Sequence, residues 1–156
     1  MSEELPDWRE KKEILWGEKA SREERLRAGE AFLGAGRLPE ALDFFERARH
    51  EEGVRSVLRE VVASGDWHLF KRCREFLGGE LREELAALAR NAEEKGKFLH
   101  GFRAARALGD AGLAARILEK IREVFPGSQI LVKQLEEEQA PPGAGLPGSE
   151  GETGKA

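Results

Sequence analysis

The chain has 156 residues and a formal net charge of −4 at pH 7, with 40% hydrophobic and 36% charged residues. This length predicts one domain with a substantial core, and the acidic balance disfavours binding to nucleic acid or to anionic membranes. A single cysteine excludes an intrachain disulfide, and no apolar run approaches the roughly 20 residues of a membrane span. The N-terminus lacks the pattern of a secretory signal, so we expect a cytoplasmic protein.

A first helix is predicted near the N-terminus, where residues 1–20 are expected to cap the rest of the fold. Asp7 is suited to begin it, because its side chain can accept from free backbone N–H groups. Trp8 and Trp16 belong to its apolar side. Two exposed tryptophans would be unusual, so we expect at least one of them to be buried. The alternative is a segment that docks on another subunit or on another copy of the chain.

Two amphipathic runs separated by a turn come next. Ser21 and Glu24 predict a capping box at the start of the first run, and Gly36 can end that run in the left-handed conformation. Small and aromatic residues recur at fixed offsets in the two runs: Gly29, Phe32, Ala41, Phe45 and Ala48. Small residues at such offsets let two helix backbones approach closely, with phenylalanine side chains filling the space beside them.

The middle of the chain remains helical in period but departs from this pattern. Apolar residues recur at helical spacing from Val54 to Val62, and Gly65 marks a helix end. In the run that follows, Phe70 stands where the first pair has a small residue. A further helix is predicted from Glu80 to about Glu94.

A second pair of runs with similar spacing ends the regular part of the chain. Its two predicted helices meet at a turn on Gly109 and end before Pro126; their inward residues are Phe98, Leu99, Phe102, Ala105, Ala114, Leu118 and Ile121. Residues 127–139 are predicted to form a capping helix with Ile130, Leu131 and Leu135 on its apolar side. Residues 140–156 are rich in proline and glycine, so we expect a disordered tail.

The spacing over residues 21–126 resembles that of tetratricopeptide repeats, which place an aromatic residue three positions after a small one and alanine four before phenylalanine. The resemblance implies an all-α solenoid of about nine short helices, stacked as antiparallel pairs into a right-handed superhelix. Gly36 and Gly109 are farther apart than two repeats of about 34 residues, so the segment between them should be irregular. In this family the first helix of each pair lines a concave groove that binds peptides or partner proteins.

Carried over by position, the resemblance predicts a partner-binding groove in which arginine dominates. The candidate residues are Arg27, Glu30, Arg55, Arg59, His100, Arg103 and Arg106. Arginine forms bidentate pairs with carboxylates, so the partner is expected to be acidic. The predicted function is a non-catalytic scaffold or adaptor that binds a peptide segment or a partner protein. The oligomeric state stays open.

No catalytic, cofactor or metal site is predicted. His50, His68 and His100 have no cysteine or carboxylate beside them at metal-ligand spacing. Cys73 lies on an apolar stripe, as a buried thiol would. Two alternatives to the groove remain: a helical-repeat RNA binder, which the arginines keep open, and a structural subunit of a larger assembly that uses the tryptophan-bearing first helix.

Overall fold

The computed structural model describes residues 4–139, and this part of the chain folds into nine helices with no strand, which confirms the all-α prediction. The helices are α1 (Trp8–Trp16), α2 (Arg22–Gly34), α3 (Leu38–Arg47), α4 (Glu51–Ser64), α5 (Trp67–Leu77), α6 (Arg82–Glu94), α7 (Phe98–Leu108), α8 (Ala111–Val124) and α9 (Gln129–Gln139). None of them combines the length and the apolar composition that crossing a membrane requires. The predicted tail, residues 140–156, lies outside the described residues.

Neighbouring helices pack in chain order. The most extensive contacts join α2 with α3, α6 with α7, α7 with α8, and α4 with α5, and α4 also contacts α3 and α6. α8 packs on α7, α9 packs on α8, and α1 rests on α2 and α3. One group of buried side chains runs from α1 to α7, and a second joins α7, α8 and α9. The core therefore extends along the whole row of helices.

Four turns between helices contain a glycine in the left-handed conformation. Gly36, Gly65, Gly96 and Gly109 have φ angles between 73° and 79°. In each turn the next backbone N–H donates to a carbonyl in the last turn of the preceding helix. This arrangement satisfies carbonyls that the helix itself leaves free, and it reverses the chain within a few residues.

Glycine turns of the same conformation occur near both ends of the row of helices. Gly36 separates α2 from α3, and Gly96 separates α6 from α7 in the same way. Gly101 follows Gly96 at the same distance as Ala41 follows Gly36, and both small residues are buried. Gly109 joins α7 to α8, as the sequence predicted. α7 therefore packs on both of its neighbours in the chain, α6 and α8.

The Phe45 ring lies between two glycines of neighbouring helices. A Cβ placed on Gly29 of α2 would come within 2.7 Å of Cε1 of Phe45, and one on Gly53 of α4 within 2.4 Å of its Cδ1. Both distances are shorter than the 3.0 Å that Cβ atoms keep from other heavy atoms. Gly29 and Ala41, the predicted positions of close approach, are both buried. The absence of side chains at the two glycines therefore makes room for the ring.

A second close approach joins the end of α4 to α6. A Cβ on Gly65 would lie 2.7 Å from Cα of Ala92 and 2.9 Å from its backbone nitrogen. Beside this contact, Nδ2 of Asn91 donates to the carbonyl oxygen of Val62 at 2.8 Å. The C-terminal end of α4 is therefore fixed against the backbone of α6.

The tryptophans of α1 do not enter the core. Leu15 is buried, whereas Trp8 is 70% exposed and Trp16 is 62% exposed, so the expectation that at least one tryptophan is buried was wrong. The guanidinium of Arg9 lies over the Trp8 ring, and that of Arg47 lies over the Trp16 ring. Each cation covers one face of an indole and leaves the other side of the ring accessible.

The last helix also differs from the expected packing. α9 buries Val132 and Leu135, which are three residues apart and therefore share a face. Ile130 and Leu131, predicted to lie on the packed side, are exposed. α9 is attached to the rest of the fold by a narrow apolar contact and by ion pairs from its acidic end, such as that between Arg122 and Glu136.

Candidate functional site

The seven predicted groove residues fall into two separate groups. The first group lies on α2 and α4 and is exposed: Arg27, Glu30, Arg55 and Arg59. The second lies on α7 and is partly buried: His100, Arg103 and Arg106. Within residues 4–139, no hydrogen bond or ion pair connects one group with the other. The sequence analysis had predicted that all seven line a single groove.

The arginines of α4 interact with residues of their own helix. Nη2 of Arg55 lies 2.7 Å from Oε1 of Glu51, and Nη2 of Arg59 donates to Oγ of Ser56 at 2.9 Å. Pairs of this kind on a helix surface stabilise the helix by only about 0.3–0.5 kcal/mol. They hold the arginines along the helix surface and provide no convergent binding geometry.

The arginines of α7 share a cavity with residues of α5 that sequence reasoning had missed. We call this cavity of about 530 Å³ the α5–α7 basic pocket, and its lining residues are Trp67, Lys71, Arg103, Arg106, Ala107 and Glu138. Nζ of Lys71 lies 5.9 Å from the centroid of the Trp67 ring. The four-residue spacing of Trp67 and Lys71 was visible in the sequence and places them on one face of a helix. Their proximity to α7 was not visible there.

A single carboxylate enters the α5–α7 basic pocket, and it comes from α9. Nη1 of Arg106 lies 3.3 Å from Oε2 of Glu138, and Nη2 of Arg106 donates to the backbone carbonyl oxygen of Glu138. Lys71 and Arg103 form no ion pair within residues 4–139. Three cations therefore line the pocket against one carboxylate, so the pocket attracts negative charge.

Two histidines lie at the edge of this pocket. The rings of His68 and His100 meet edge to face with centroids 5.3 Å apart, and Nη1 of Arg103 is 3.5 Å from Nε2 of His68. Nδ1 of His100 accepts a hydrogen bond of 3.0 Å from the backbone N–H of Trp67, so the neutral ring carries its proton on Nε2. His100, predicted to line the groove, thus holds the first turn of α5. The described residues contain no cluster of three or more side chains suited to a metal ion.

Acidification is expected to destabilise the fold through His100. Its pKa lies below the ordinary 6.5, chiefly because of burial, with the charge of Asp66 opposing the shift. The native state therefore takes up the proton less readily than the unfolded chain, and stability falls as the pH drops below 6.5. Protonation also removes the acceptor of the Trp67 N–H, a loss of about 1 kcal/mol.

Urea denaturation at several pH values between roughly pH 5 and pH 8 measures this loss of stability. The matched variant is His100→Asn, whose amide oxygen can accept the same hydrogen bond without titrating. We expect a flatter pH dependence in the variant than in the wild type. If the free energy of unfolding depended on pH to the same extent in both proteins, a group other than His100 would be responsible for the pH dependence.

Cys73 lies in the core, as the sequence predicted. It is buried, and burial raises the pKa of its thiol to about 12. The thiol is therefore protonated at neutral pH, and a protonated thiol is neither a nucleophile nor a metal ligand. Cys73 contributes to packing between α5 and its neighbours as a small apolar side chain.

We compared the chain with protein-family models, with curated proteins and with solved structures, and none of the three comparisons found a match. The resemblance to tetratricopeptide repeats rests on residue spacing.

Proposed function

We propose that the chain is a non-catalytic protein-interaction module and that its α5–α7 basic pocket binds an acidic peptide segment of a partner protein. One observation supports this proposal above the others. Arg106 already binds the carboxylate and the backbone carbonyl oxygen of Glu138, so the pocket accommodates one acidic residue supplied by the chain itself. Lys71 and Arg103 line the same cavity and are available to further carboxylates.

The proposed scaffold is a tetratricopeptide-like stack of antiparallel helix pairs, wound as a right-handed superhelix. The packing of α2 on α3, α4 on α5 and α6 on α7 supports it, as does the contact of α4 with α6 between successive pairs. Stacks of this kind bury their helices against neighbours and leave outer faces for partners. We place this module in the cytoplasm, where a free cysteine such as Cys73 is ordinary. Both the stack and the role inferred from it are arguments by analogy of fold.

The side chains of the pocket favour carboxylates on a peptide. Arg103 and Arg106 are three residues apart on α7 and so lie on one face, and each offers a planar fork of donors that fits a carboxylate. The ring of Trp67, only 8% exposed, supports the stem of Lys71 beside them. An extended segment with neighbouring acidic side chains can therefore reach two or three cations at once, through charge-assisted hydrogen bonds.

A labelled hexaglutamate peptide tests the pocket by fluorescence anisotropy at low ionic strength. We expect binding that weakens as salt is added and that falls about tenfold or more in the double variant Arg103→Glu/Arg106→Glu. The matched control is Arg55→Glu/Arg59→Glu, which changes the net charge by the same amount on α4. Its affinity for the peptide is expected to stay close to that of the wild type.

The same titration includes Glu138→Gln, which removes the carboxylate that competes from within the chain. An exposed ion pair of this kind is worth about 0.2–1 kcal/mol, so the peptide should bind more tightly, by up to about fivefold. An equal loss of peptide affinity in the two charge-reversal variants would overturn the proposal, because the affinity would then depend only on the net charge of the protein. Tighter binding of a single-stranded RNA of equal charge would overturn it in favour of a nucleic-acid binder.

A further inference from the structure

The exposed tryptophans of α1 stand on either side of a lysine. Trp8, Lys12 and Trp16 follow one another at intervals of four residues, so they form a stripe about 12 Å long on one side of the helix. We call it the Trp8–Lys12–Trp16 stripe. All three residues line a cavity of about 630 Å³ that lies between α1 and α3.

Contacts from the rest of the fold hold this stripe in place. Arg25 of α2 donates from Nε to the carbonyl oxygen of Ile14 and from Nη2 to that of Gly17, both at 3.1 Å. These two bonds bind the C-terminal end of α1, where free carbonyls otherwise need partners. Leu15 is buried on the same helix. The stripe is therefore a preformed surface and needs little ordering before a partner binds.

The cavity beside the stripe has more free positive charge than negative charge. On its far wall Arg72 pairs with Asp43 at 2.9 Å and with Glu46 at 2.6 Å, so those two carboxylates already have a partner. Lys11 and Lys12 form no ion pair within the part of the chain that the structure describes. The charge available to a ligand is therefore positive, and it lies at the centre of the stripe.

A second copy of the chain does not fit this surface. If α1 packed on α1 of another copy about a two-fold axis, residues would pair symmetrically about the middle of the helix. Lys12 would then face Lys12 of the other copy, and like charges repel. Charge complementarity requires a negative group at this central position and apolar groups on both sides of it.

We infer that the α1–α3 surface binds an amphipathic helix of a partner protein, in which a carboxylate lies between two apolar side chains at four-residue spacing. The carboxylate pairs with Lys12, and the two apolar side chains pack on Trp8 and Trp16. This is recognition of a helix through anchors at helical spacing. The inference adds a second site that is independent of the proposed function of the α5–α7 basic pocket.

Two labelled helical peptides that differ in one residue test the inference. Both peptides carry leucine at two positions that are eight residues apart. The residue midway between these leucines is glutamate in one peptide and lysine in the other. By fluorescence anisotropy, the wild-type chain should bind the glutamate peptide about tenfold more tightly than the lysine peptide. Lys12→Glu should reverse this preference. Unlabelled glutamate peptide should also shift the tryptophan emission to shorter wavelength, because Trp8 and Trp16 become buried.

Two further variants separate the possible outcomes. Trp8→Ser/Trp16→Ser should abolish binding of the glutamate peptide while the far-ultraviolet circular dichroism stays helical. Arg103→Glu/Arg106→Glu should leave that binding unchanged, since those residues belong to the other pocket. Equal affinity for the two peptides, or an unchanged preference in Lys12→Glu, would overturn the inference. A dimer in sedimentation that Trp8→Ser/Trp16→Ser dissociates would also overturn it, in favour of a second copy.

Discussion

Replacement of Phe45 by alanine is expected to lower the free energy of unfolding by about 3–5 kcal/mol. The ring is 1% exposed and lies where α2, α3 and α4 meet, with Gly29 and Gly53 on either side. Glycines have no side chains that could move into the space, so the substitution leaves a cavity as well as losing buried apolar surface. Urea denaturation of the two proteins measures the difference. Phe125→Ala, at a 53% exposed position, is the control and should change little.

Gly29→Ala examines the same contact from the opposite helix. In the wild-type background the methyl group of the new alanine would lie 2.7 Å from the Phe45 ring. Overpacking of this kind destabilises a protein by about 1–3 kcal/mol. This cost exceeds the gain in helix propensity, which is at most about 1 kcal/mol. In the Phe45→Ala background the obstacle is absent, so the same substitution should stabilise the protein. A change of the same sign in both backgrounds would show that residues 29 and 45 do not touch.

Gly65→Ala is expected to destabilise the protein by about 2–5 kcal/mol, for two separate reasons. The residue has a φ of 73°, which costs an alanine about 1–2 kcal/mol. Its Cβ would also lie 2.7 Å from Cα of Ala92, a backbone atom that can retreat only if α6 moves. Thermal and urea denaturation of the variant measure the total loss.

Gly96→Ala isolates the first cause, the backbone conformation. Gly96 has the same φ of 73°, but a Cβ there would have no atom within 4 Å. We expect a loss of only about 1–2 kcal/mol from its backbone conformation. If Gly65→Ala and Gly96→Ala cost the same, the close approach of α4 and α6 would contribute nothing to stability.

Features that depend on neighbouring residues could be predicted from the sequence. The Ser21–Glu24 capping box is present at the start of α2, and the helix periods placed Phe32, Phe45 and Cys73 in the core. Caps and periods are local, because each involves residues within one or two turns of a helix.

Features that depend on which helices meet could not be predicted in the same way. The α5–α7 basic pocket brings Lys71 beside Arg103, and predicting it requires knowing that α5 and α7 are in contact. The turn signal at Gly109 resembled that at Gly36, but the spacing did not show that α7 would also pack on α5. Likewise, the apolar character of Trp8 suggested burial, although a short terminal helix has only one side against the core.

The glycine turns have a consequence for the way the chain folds. Each turn is closed by hydrogen bonds between residues a few positions apart, and most helices pack on the next one along the chain. A topology of this kind has a low contact order, so little loop-closure entropy is lost before native contacts form. Each pair can thus be completed as it emerges during synthesis, well before the ribosome has finished α9.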